Sequence, residues 1–440
     1  MPYIGQLRAA GLAKESVVGT LVTPPTEFIP YIAPDAFMPA IELLESTAIR
    51  SNPNRLYKAS QGPGEVKGMK LKWEAEPENI GNLLMGCFGT DTVTEYASFT
   101  VSNSNNKINF KEDGGSELTA TLTNGTYAMG ASSAVAGSLC KEIKDQLEAA
   151  AGSAGTYTVT FNSSTFKVTI AVSGGAAAVQ LLWGTGTNAA TSARTLLGWS
   201  TSDTASSASL QSSGTTTAQV WNHAFTRLSA AQLPSYSWWF DKGAVYQQFV
   251  GCMVNKLDLI AKAREFVMVE SEWTGLAYDE TGTSKSPTYS AVAPWKFDMA
   301  QLRLDAGLVQ TYDNVKISFD NYVKADHLLS QSIYPGVIYS EGFDVTISMD
   351  MEVENATEYT NFLDGDSVDV NLQLIHTANA GSGAVPYSLE FDMPSAKYSV
   401  ASYPNAPGLI KIAFTARGIY NTSESKIASV ALRNSISTAY

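Results

Sequence analysis

The chain has 440 residues, of which 44% are hydrophobic and 16% are charged, so it is long enough for two or three domains with packed cores. Its 29 basic and 42 acidic residues leave a net charge of −13, which argues against a protein that grips a polyphosphate backbone with clustered Lys and Arg. No stretch reaches the roughly 18 consecutive apolar residues of a membrane span, so we expect no membrane association.

Three cysteines, Cys87, Cys140 and Cys252, lie far apart among apolar residues. This spacing supplies neither a disulfide framework nor a metal site. The first eight residues lack the charged-then-apolar layout of a signal peptide. We therefore expect a protein that is made and folded in a reducing cytoplasm.

The first part of the chain combines an arm, a proline-rich segment and a strand–helix unit. Residues 1–20 are predicted to be an extended arm, and the prolines that follow rule out a long helix. The irregular pattern of Ala36–Gln61 indicates a long loop or hairpin between two strands. Val66–Trp73 alternates in polarity and predicts a strand, and Pro77–Met85 predicts a short helix with acidic residues at its N-terminus.

The composition changes from about residue 99 to residue 213 and indicates a separate α+β segment. Tyr157–Ile170 predicts a β-hairpin, and the Ser/Thr/Ala-rich run Thr201–Thr217 is typical of a linker. Ala134–Ala150 predicts an amphipathic helix whose apolar stripe is Val135, Leu139, Ile143 and Leu147. Short strands are also predicted at Phe99–Val101, Lys107–Phe110 and Leu118–Leu122.

The remainder of the chain predicts strands on either side of one long loop. Phe225–Trp273 is predicted to be mostly strand, and the polar stretch Gly275–Trp295 to be an exposed loop. Beyond Phe297, strands are predicted near Val315–Tyr322, Phe343–Met351, Val368–Ile375, Tyr387–Phe391 and Leu409–Phe414.

Parts of the chain occur twice. The strand and helix around Glu74 reappear around Glu352, 278 positions later. Two further matches, at offsets of 151 and 143, are Tyr236–Asp241 with Tyr387–Asp392 and Phe266–Gly275 with Leu409–Gly418. Internal repetition at this scale predicts one β-rich unit in two copies. The drop in offset (278 − 151) predicts about 127 extra residues inside the first copy.

We therefore predict a mainly β protein with short helices, built from two tandem β-sandwich or barrel-forming units and one inserted α+β domain. The first unit is discontinuous and comprises residues 1–95 and 218–296. The inserted domain comprises residues 96–217, and the second unit residues 297–440. The ends of the insertion, near Glu95 and Thr217, are expected to lie close together, because tolerated insertions have adjacent ends.

Several features together carry a resemblance to a known family. They are the N-terminal arm, the strand-then-helix units Lys67–Gly89 and Asp344–Gly365, and the strands that return after Pro234 and Pro386. This combination resembles the major tail tube proteins of long-tailed, siphovirus-type bacteriophages, in the variety whose tube fold is duplicated. The inserted segment resembles a decoration domain on the strength of Asn105–Phe110, Gly125–Tyr127 and Leu196–Gly198.

The resemblance implies a structural virion protein that is not an enzyme and has no catalytic residue, cofactor or metal. Such subunits form rings that stack into a hollow tail tube, and genomic DNA passes through the lumen into the host without specific binding. The resemblance to duplicated members implies trimeric rings whose walls are pseudo-sixfold. The implied partners are further copies of the chain, the tape measure, the tail terminator and the distal tail protein. The implied location is the virion tail, after assembly in the host cytoplasm.

Some residues allow a chemical interpretation, and each also has a simpler structural one. The three histidines, His223, His327 and His376, show no metal-ligand or acid–base spacing. Gly282–Ser286 is similar to the end of a phosphate loop, but it lacks the second glycine and the strand-to-helix context of that motif. It is predicted to be a plain loop.

The carboxylates Asp364, Asp366 and Asp369 cluster after a turn, but the liganding pattern and closing Glu of a Ca²⁺ loop are missing. Trp238–Phe240 suggests sugar stacking, yet alternate strand residues point to opposite faces, which favours a core and interface role. Only composition supports glycan binding by the Ser/Thr-rich insertion, so passive decoration is favoured. No residue is predicted to be catalytic, cofactor-binding or metal-binding.

Other functions fit the sequence less well. A hydrolase needs paired carboxylates or a nucleophile–base pair, and no local signature of either is visible. A β-rich adhesin or surface protein fits the Ser/Thr content but is expected to carry a signal peptide. A tail-tip or distal tail ring protein of the same fold remains an alternative, because copy number rather than sequence distinguishes it from the tube.

The resemblance also leads to expectations about assembly. The wall that faces DNA is expected to carry acidic and small polar side chains rather than Lys and Arg, given the net charge of −13. Contacts between rings are expected from the long irregular segments, namely the N-terminal arm, Ala36–Gln61 and Gly275–Trp295. Three chains per ring are expected, because each chain supplies two tube units.

Overall fold

The computed structural model describes residues 9–32, 39–45, 59–216, 219–227, 232–242, 245–279, 285–309, 312–329, 332–352, 357–380, 385–402 and 411–440, without the side chains of residues 400–402. Strands dominate these ranges and the helices are short, so the predicted fold class is confirmed.

Strands and helices follow one another along the chain from β1 near the N-terminus to β29 near the C-terminus. The first are β1 (Ala9–Lys14), β2 (Glu27–Ile29), β3 (Tyr31–Ile32), β4 (Ala40–Glu45), β5 (Ala59–Glu74), α1 (Gly81–Phe88) and β6 (Gly89–Tyr96). The next are β7 (Phe99–Val101), β8 (Lys107–Glu112), β9 (Leu118–Thr121), β10 (Gly125–Tyr127), α2 (Leu139–Ala149), β11 (Gly155–Asn162), β12 (Lys167–Gly174), β13 (Val179–Leu181) and β14 (Ser209–Gln211).

The chain continues with β15 (Val220–Arg227), β16 (Tyr236–Asp241), β17 (Tyr246–Lys262), β18 (Met268–Gly275) and β19 (Ala277–Asp279). The last elements are β20 (Ala300–Leu304), β21 (Gly307–Val309), β22 (Tyr312–Asp320), β23 (Val323–Asp326), β24 (Val337–Ser340), β25 (Asp344–Glu352), α3 (Thr357–Asp364), β26 (Ser367–Asn379), β27 (Pro386–Ser402), β28 (Lys411–Gly418) and β29 (Ser429–Asn434). Short 3-10 turns occur at Ala189–Thr191 and Phe297–Met299.

The sheet that we call sheet 1 is antiparallel throughout. Its strand order is β3–β5–β18–β17–β22–β25–β28–β27. Period-2 alternation gives it one apolar and one polar face, as on β25, where Val345, Ile347 and Met349 are buried and the residues between them are half-buried. The strands predicted near Val66–Trp73 and Phe343–Met351 are therefore confirmed.

The sheet that we call sheet 2 covers the apolar face of sheet 1. Its order is β6–β15–β29–β27–β26–β20–β21. The 17-residue β27 joins the two sheets, because its first half pairs in sheet 2 and its second half pairs in sheet 1. The sheets share one core, in which Phe319 of sheet 1 and Phe391 of sheet 2 meet edge to face with ring centroids 5.7 Å apart.

A third sheet, with the order β2–β1–β16–β17–β19, contains residues 9–14 of the predicted N-terminal arm as an extended, paired strand. Residues 9–13 are buried in β1, between two neighbouring strands. The small apolar side chains there fit against both faces of the sheet, so the strand shows no polar alternation. Residues 1–8 of the predicted arm lie outside the described residues.

Two helices begin later than the sequence predicts. α1 begins at Gly81 and has no acidic residue in its first turn, so the predicted acidic N-terminus is wrong. The Glu78 carboxylate instead accepts hydrogen bonds from the Tyr387 and Ser435 hydroxyl groups, both at 3.0 Å. α2 begins after Ser138, whose hydroxyl oxygen accepts the Lys141 N–H at 3.2 Å, and this N-cap leaves Val135 outside the helix and exposed.

The inserted segment has a core of its own, drawn from residues 99–210. Its predicted hairpin is confirmed, with Phe161 opposite Val168. The predicted linker is wrong, because β14 pairs with β12 and buries Leu210. Hydroxyl groups of this run satisfy buried backbone donors, as when Ser212 Oγ accepts the Val168 N–H at 3.2 Å, so the polar composition is compatible with folded structure.

The predicted loop Gly275–Trp295 is likewise wrong at both ends. β19 pairs with β17. Trp295 is fully buried, and its main-chain N–H donates to Ala75 O at 3.0 Å. Residues 285–293 have no regular secondary structure, and residues 280–284 lie outside the described residues.

The repeat offsets of 278 and 143 are confirmed by strand register. Trp73 pairs with Val269 between β5 and β18, and their counterparts Met351 and Ile412 pair between β25 and β28.

The match at an offset of 151 is wrong as a structural equivalence. β16 lies between β1 and β17, whereas the matched part of β27 lies between β26 and β29. The counterpart of that part of β27 is β15, because β15 pairs with β6 as β27 pairs with β26. Both matched segments are strands that bury large apolar residues at alternate positions, and that shared feature accounts for their similarity.

Candidate assembly interface

The parts of the chain predicted to be the first and second units meet along β17 and β22. These strands pair from Lys256 with Asp320 to Lys262 with Asn314, so β22 extends the sheet of the first unit into the second. We call this contact the internal junction. It is the clearest example in the structure of how one unit binds the next.

A β-bulge in β17 anchors the internal junction. The bulge lies at Asn255, whose main-chain oxygen accepts the Asn321 N–H at 2.8 Å and whose Oδ1 accepts the Val323 N–H at 2.9 Å. In return, the fully buried Asn321 side chain donates to Val254 O at 3.0 Å and to Cys87 O at 3.1 Å. Two amide side chains thus satisfy main-chain groups that the bulge would otherwise leave unpaired.

The C-terminal end of α1 packs into the same junction. Phe88 contacts Phe319 and Phe343 of the second unit, with ring centroids 5.2 and 5.6 Å apart. The helix ends there because Gly89 takes a left-handed conformation, with φ at 87°. Burial raises the pKa of Cys87 to about 12, so its thiol stays neutral and acts as an apolar group.

The β23–β24 hairpin of the second unit lies on the first unit. Val323 and Ile338 are buried in a small apolar cluster with Leu233 and Met253. The hairpin loop reaches further along the first unit, where Gly64 donates its N–H to Ile333 O at 2.7 Å.

Arg227 ties sheet 2 to this hairpin. Its Nη2 donates to Ser340 Oγ at 2.7 Å, and its guanidinium carbon lies 5.3 Å from the centroid of the Phe343 ring. Burial lowers the pKa of Arg227.

The polar face of sheet 1 carries ion pairs between neighbouring strands. Its basic side chains lie within 4 Å of carboxylates in the pairs Lys70–Glu272, Lys72–Glu270, Lys316–Asp258 and Arg417–Asp344. Neutralisation within such pairs leaves the face without a concentrated charge of either sign. Its residues can therefore lie beside a polyanion without binding it strongly.

The structure does not bring the three predicted histidines together. His223 is in the core, with Nδ1 2.9 Å from Asp91 Oδ2 and Nε2 2.9 Å from Ile436 O. His376 accepts the Ala378 N–H, and burial lowers its pKa. His327 lies in the β23–β24 loop, 3.1 Å from Gly64 O. No set of three or more His, Cys, Asp or Glu side chains within the described ranges is arranged to hold a metal ion.

The other predicted candidates also have structural surroundings. Burial, followed by the nearby Asp392 and Asp305 carboxylates, raises the pKa of Asp369. Asp364 and Asp366 are exposed beside α3. All three side chains of Trp238–Phe240 are buried, and Lys285 Nζ lies 4.8 Å from the Trp239 ring centroid. Gly282–Ser284 lie outside the described residues.

A cleft of about 730 Å³, lined among others by Lys14, Glu27, Glu78 and Tyr440, was not predicted. Burial raises the pKa of Glu27 to about 8, despite a hydrogen bond from Asn82, and also raises the pKa of the neighbouring Glu76 to about 7. Sequence analysis also missed Asn255, Asn321 and Arg227. Their role depends on partners more than 60 residues away, and no local pattern marks such pairs.

No helix in the described part of the chain is long and apolar enough to cross a membrane. A protein-family model described as phage tail tube protein matches residues 5–417. A search of curated proteins finds no match.

Proposed function

The chain belongs to the phage tail tube protein family and is a structural component of the virion tail, and we propose that copies of it join into rings that stack as the hollow tube. The observation that carries this proposal is the strand order of sheet 1. The series β3–β5–β18–β17 of the first unit is followed by the equivalent series β22–β25–β28–β27 of the second.

When chains join head to tail in this way, the assembly has the same two complementary strand edges at its ends after each chain is added. In a single chain, β3 forms one end of sheet 1, and beyond Lys397 β27 has no strand opposite β28 in the described residues. Heterologous contacts build rings when the rotation closes and open filaments when it does not. A closed ring removes exposed strand edges, which otherwise promote uncontrolled association.

Residues 96–217 would then be a decoration domain, residues 1–95 and 218–296 the first tube unit, and residues 297–440 the second. Two observations support this division: the insertion has its own core, and its ends are paired strands, with Tyr96 opposite Val220.

The polar face of sheet 1 would line the lumen through which DNA passes, because its apolar face is covered by sheet 2. That wall would carry Lys and Arg, contrary to the simple expectation from net charge, but each in the pairs described above lies beside a carboxylate. Such a wall would give DNA no unneutralised basic patch to bind.

Electron microscopy of the purified recombinant chain tests the proposal, and stacked rings with an open lumen are the expected result. A chain that stays monomeric at every concentration would refute it. Copy number in the virion separates tube from tail tip, because many tens of copies indicate a tube and a single ring indicates a tip. The tape measure, tail terminator and distal tail proteins are the proposed partners at the ends of the tube.

A further inference from the structure

We infer that the β4–β5 hairpin of each chain docks on the β27 bulge and the α3 end of a neighbouring copy, as the β23–β24 hairpin docks within the chain. This inference rests on the proposed ring assembly and specifies which residues meet between chains. It follows from comparing the internal junction with the exposed counterparts of the same elements.

The first exposed counterpart is a bulge in β27. The bulge of β17 lies between Val254 and Lys256, and that of β27 lies between Tyr398 and Val400. Both bulges face equivalent residues of the adjacent strand, because Trp273 and its counterpart Ala416 are 143 positions apart. Ser399 therefore corresponds to Asn255. Asn255 binds two N–H groups of the next unit, whereas Ser399 is exposed.

The second exposed counterpart is the end of α3. Both α1 and α3 have eight residues and are followed by a left-handed glycine, Gly89 or Gly365. Two positions before that glycine, Cys87 is fully buried by the internal junction and Leu363 is 63% exposed. An exposed leucine beside a bulge that binds no further unit indicates a surface that another molecule can bury.

The complementary surface is the β4–β5 hairpin. Tyr31 pairs with Trp73 as Tyr312 pairs with the equivalent Met351, so β3 corresponds to the start of β22. The hairpins that follow are equivalent as well, because Leu44 pairs with Ser60 as Ala325 pairs with Ile338, 278 positions after Ser60.

Burial distinguishes the two hairpins. Val323 and Ile338 of the β23–β24 hairpin are buried against the first unit, whereas their counterparts Glu42 and Ser60 are exposed. The apolar residues beside Glu42 on β4 are exposed as well, namely Ile41, Leu43 and Leu44. Leu44 is 57% exposed. The β4 strand therefore presents an apolar surface for which the described part of the chain provides no equivalent site.

A second copy of this chain is the partner that fits both exposed surfaces. Each surface is one half of a contact that the chain already makes internally, so a neighbour supplies the other half. Charge is also complementary: Lys397 is the counterpart of Met253 beside the bulge, and β4 carries the exposed carboxylates of Glu42 and Glu45. Oppositely charged groups at this contact favour the correct partner.

Disulfide cross-linking tests the register. Asn321 lies four residues before Ala325, and its counterpart Ala40 lies four residues before Leu44, the counterpart of Ala325. The double variant Ala40→Cys/Ser399→Cys should therefore form covalent multimers under mild oxidation, since paired strands have a Cα separation that suits a disulfide.

The matched controls use other cysteine pairs. Lys256→Cys/Asp320→Cys should form an intrachain disulfide at the internal junction, because these residues pair directly. Glu45→Cys/Ser399→Cys shifts one cysteine by about 17 Å along the strand and should give no multimers. The native cysteines interfere little, because all three are buried and burial raises the pKa of Cys87 and of Cys140 to about 12.

A second test removes the apolar contact. Leu44→Asp should lower the yield of assembled rings about tenfold, because an unpaired carboxylate would be buried at the contact, and should leave the monomer folded. Val135→Asp, at a 45% exposed position of the inserted segment, is the control and should assemble normally. Rings that form without the Ala40–Ser399 cross-link, or that tolerate Leu44→Asp, would overturn this inference and leave the proposed function intact. If the wild-type chain forms no rings, the proposed function fails and this inference fails with it.

Discussion

At the scale of single residues, Glu15 shows how one buried carboxylate fixes the start of the described chain. Its side chain accepts hydrogen bonds from the Ser235 hydroxyl at 2.7 Å, the Ser237 hydroxyl at 2.8 Å, the Gly251 N–H at 2.9 Å and the Gly19 N–H at 2.8 Å. A carboxylate only accepts hydrogen bonds, and here four donors surround it. Glu15 thereby joins the end of β1 to β16 and β17.

Replacing this carboxylate should destabilise the fold. Glu15→Ala leaves buried donors without an acceptor, so we expect the free energy of unfolding to fall by about 2–4 kcal/mol. Urea denaturation followed by circular dichroism measures the change. Glu265→Ala, which removes an exposed carboxylate ion-paired with Lys262, is the control and should change stability by less than about 0.5 kcal/mol. Equal effects of the two substitutions would contradict the anchoring role of Glu15.

Glu27 should make stability depend on pH. Burial raises its pKa in the folded protein to about 8, whereas an unfolded Glu titrates near 4.3. Below about pH 4.3 both states hold the proton, and as the pH rises toward 8 only the unfolded state releases it, so the fold loses stability across that window. Glu27→Gln cannot titrate, and the stability difference between pH 5 and pH 8 should be smaller in the variant. An unchanged difference in denaturant titrations at the two pH values would show that Glu27 is not protonated in the fold.

At the scale of elements, alternating strands were predictable and internally buried ones were not. β25 shows the period-2 pattern of a sheet with one polar face, and the sequence predicts it within about a residue at each end. β1 lies among other strands, so its run of small apolar residues shows no alternation. The prediction of a linker at Thr201–Thr217 rested on composition and was wrong. Ser and Thr residues whose hydroxyl groups bond to buried backbone cannot be distinguished by composition from those of a flexible linker.

For the internal junction, the sequence predicted only that the strands of the two units are equivalent. Offsets of 278 and 143 locate equivalent strands, since equivalent registers preserve their spacing. They do not indicate that β17 and β22 pair, or that Asn321 inserts beside Asn255. That contact depends on two segments distant in sequence, and neither Asn differs locally from an ordinary loop residue.

The inserted segment should be removable as a unit. Replacing Ser98–Ser213 with a short Gly/Ser linker leaves Tyr96 and Val220 as paired neighbours, whose Cα atoms lie only about 5 Å apart in an antiparallel ladder. The rest of the chain keeps its own core. Its main loss is two hydrogen bonds, which the N–H groups of Met129 and Gly130 donate to the Glu95 carboxylate. We expect the shortened chain to fold and to form tubes of smaller outer diameter in electron micrographs. An unfolded remainder would show that the insertion is integral to the fold.

At the scale of the whole molecule, the two copies are alike in register and unlike in chemistry. Asn255 and Asn321 of the internal junction correspond to Ser399 and Ala40 at the proposed contact between chains. Alanine has no side-chain donor, so the hydrogen bonds from the Asn321 side chain to Val254 O and Cys87 O have no equivalent between chains. We therefore expect junctions within and between chains to differ, and a ring of these units to be sixfold only approximately.

The number of chains per ring is expected from the number of tube units in each chain. Each chain supplies two tube units and one internal junction, so a wall of six units needs three chains and three contacts between chains. We expect mass measurement of single rings, or helical reconstruction of the tube, to give three chains per layer, with alternating junctions around the ring. The cross-linked Ala40→Cys/Ser399→Cys variant offers an independent count, because a closed ring should stop at a covalent trimer of the 47.0 kDa chain. Six chains per layer would instead mean that the second unit has left the wall. In that case the β17–β22 pairing would be a fixed attachment within the chain rather than the pattern for assembly.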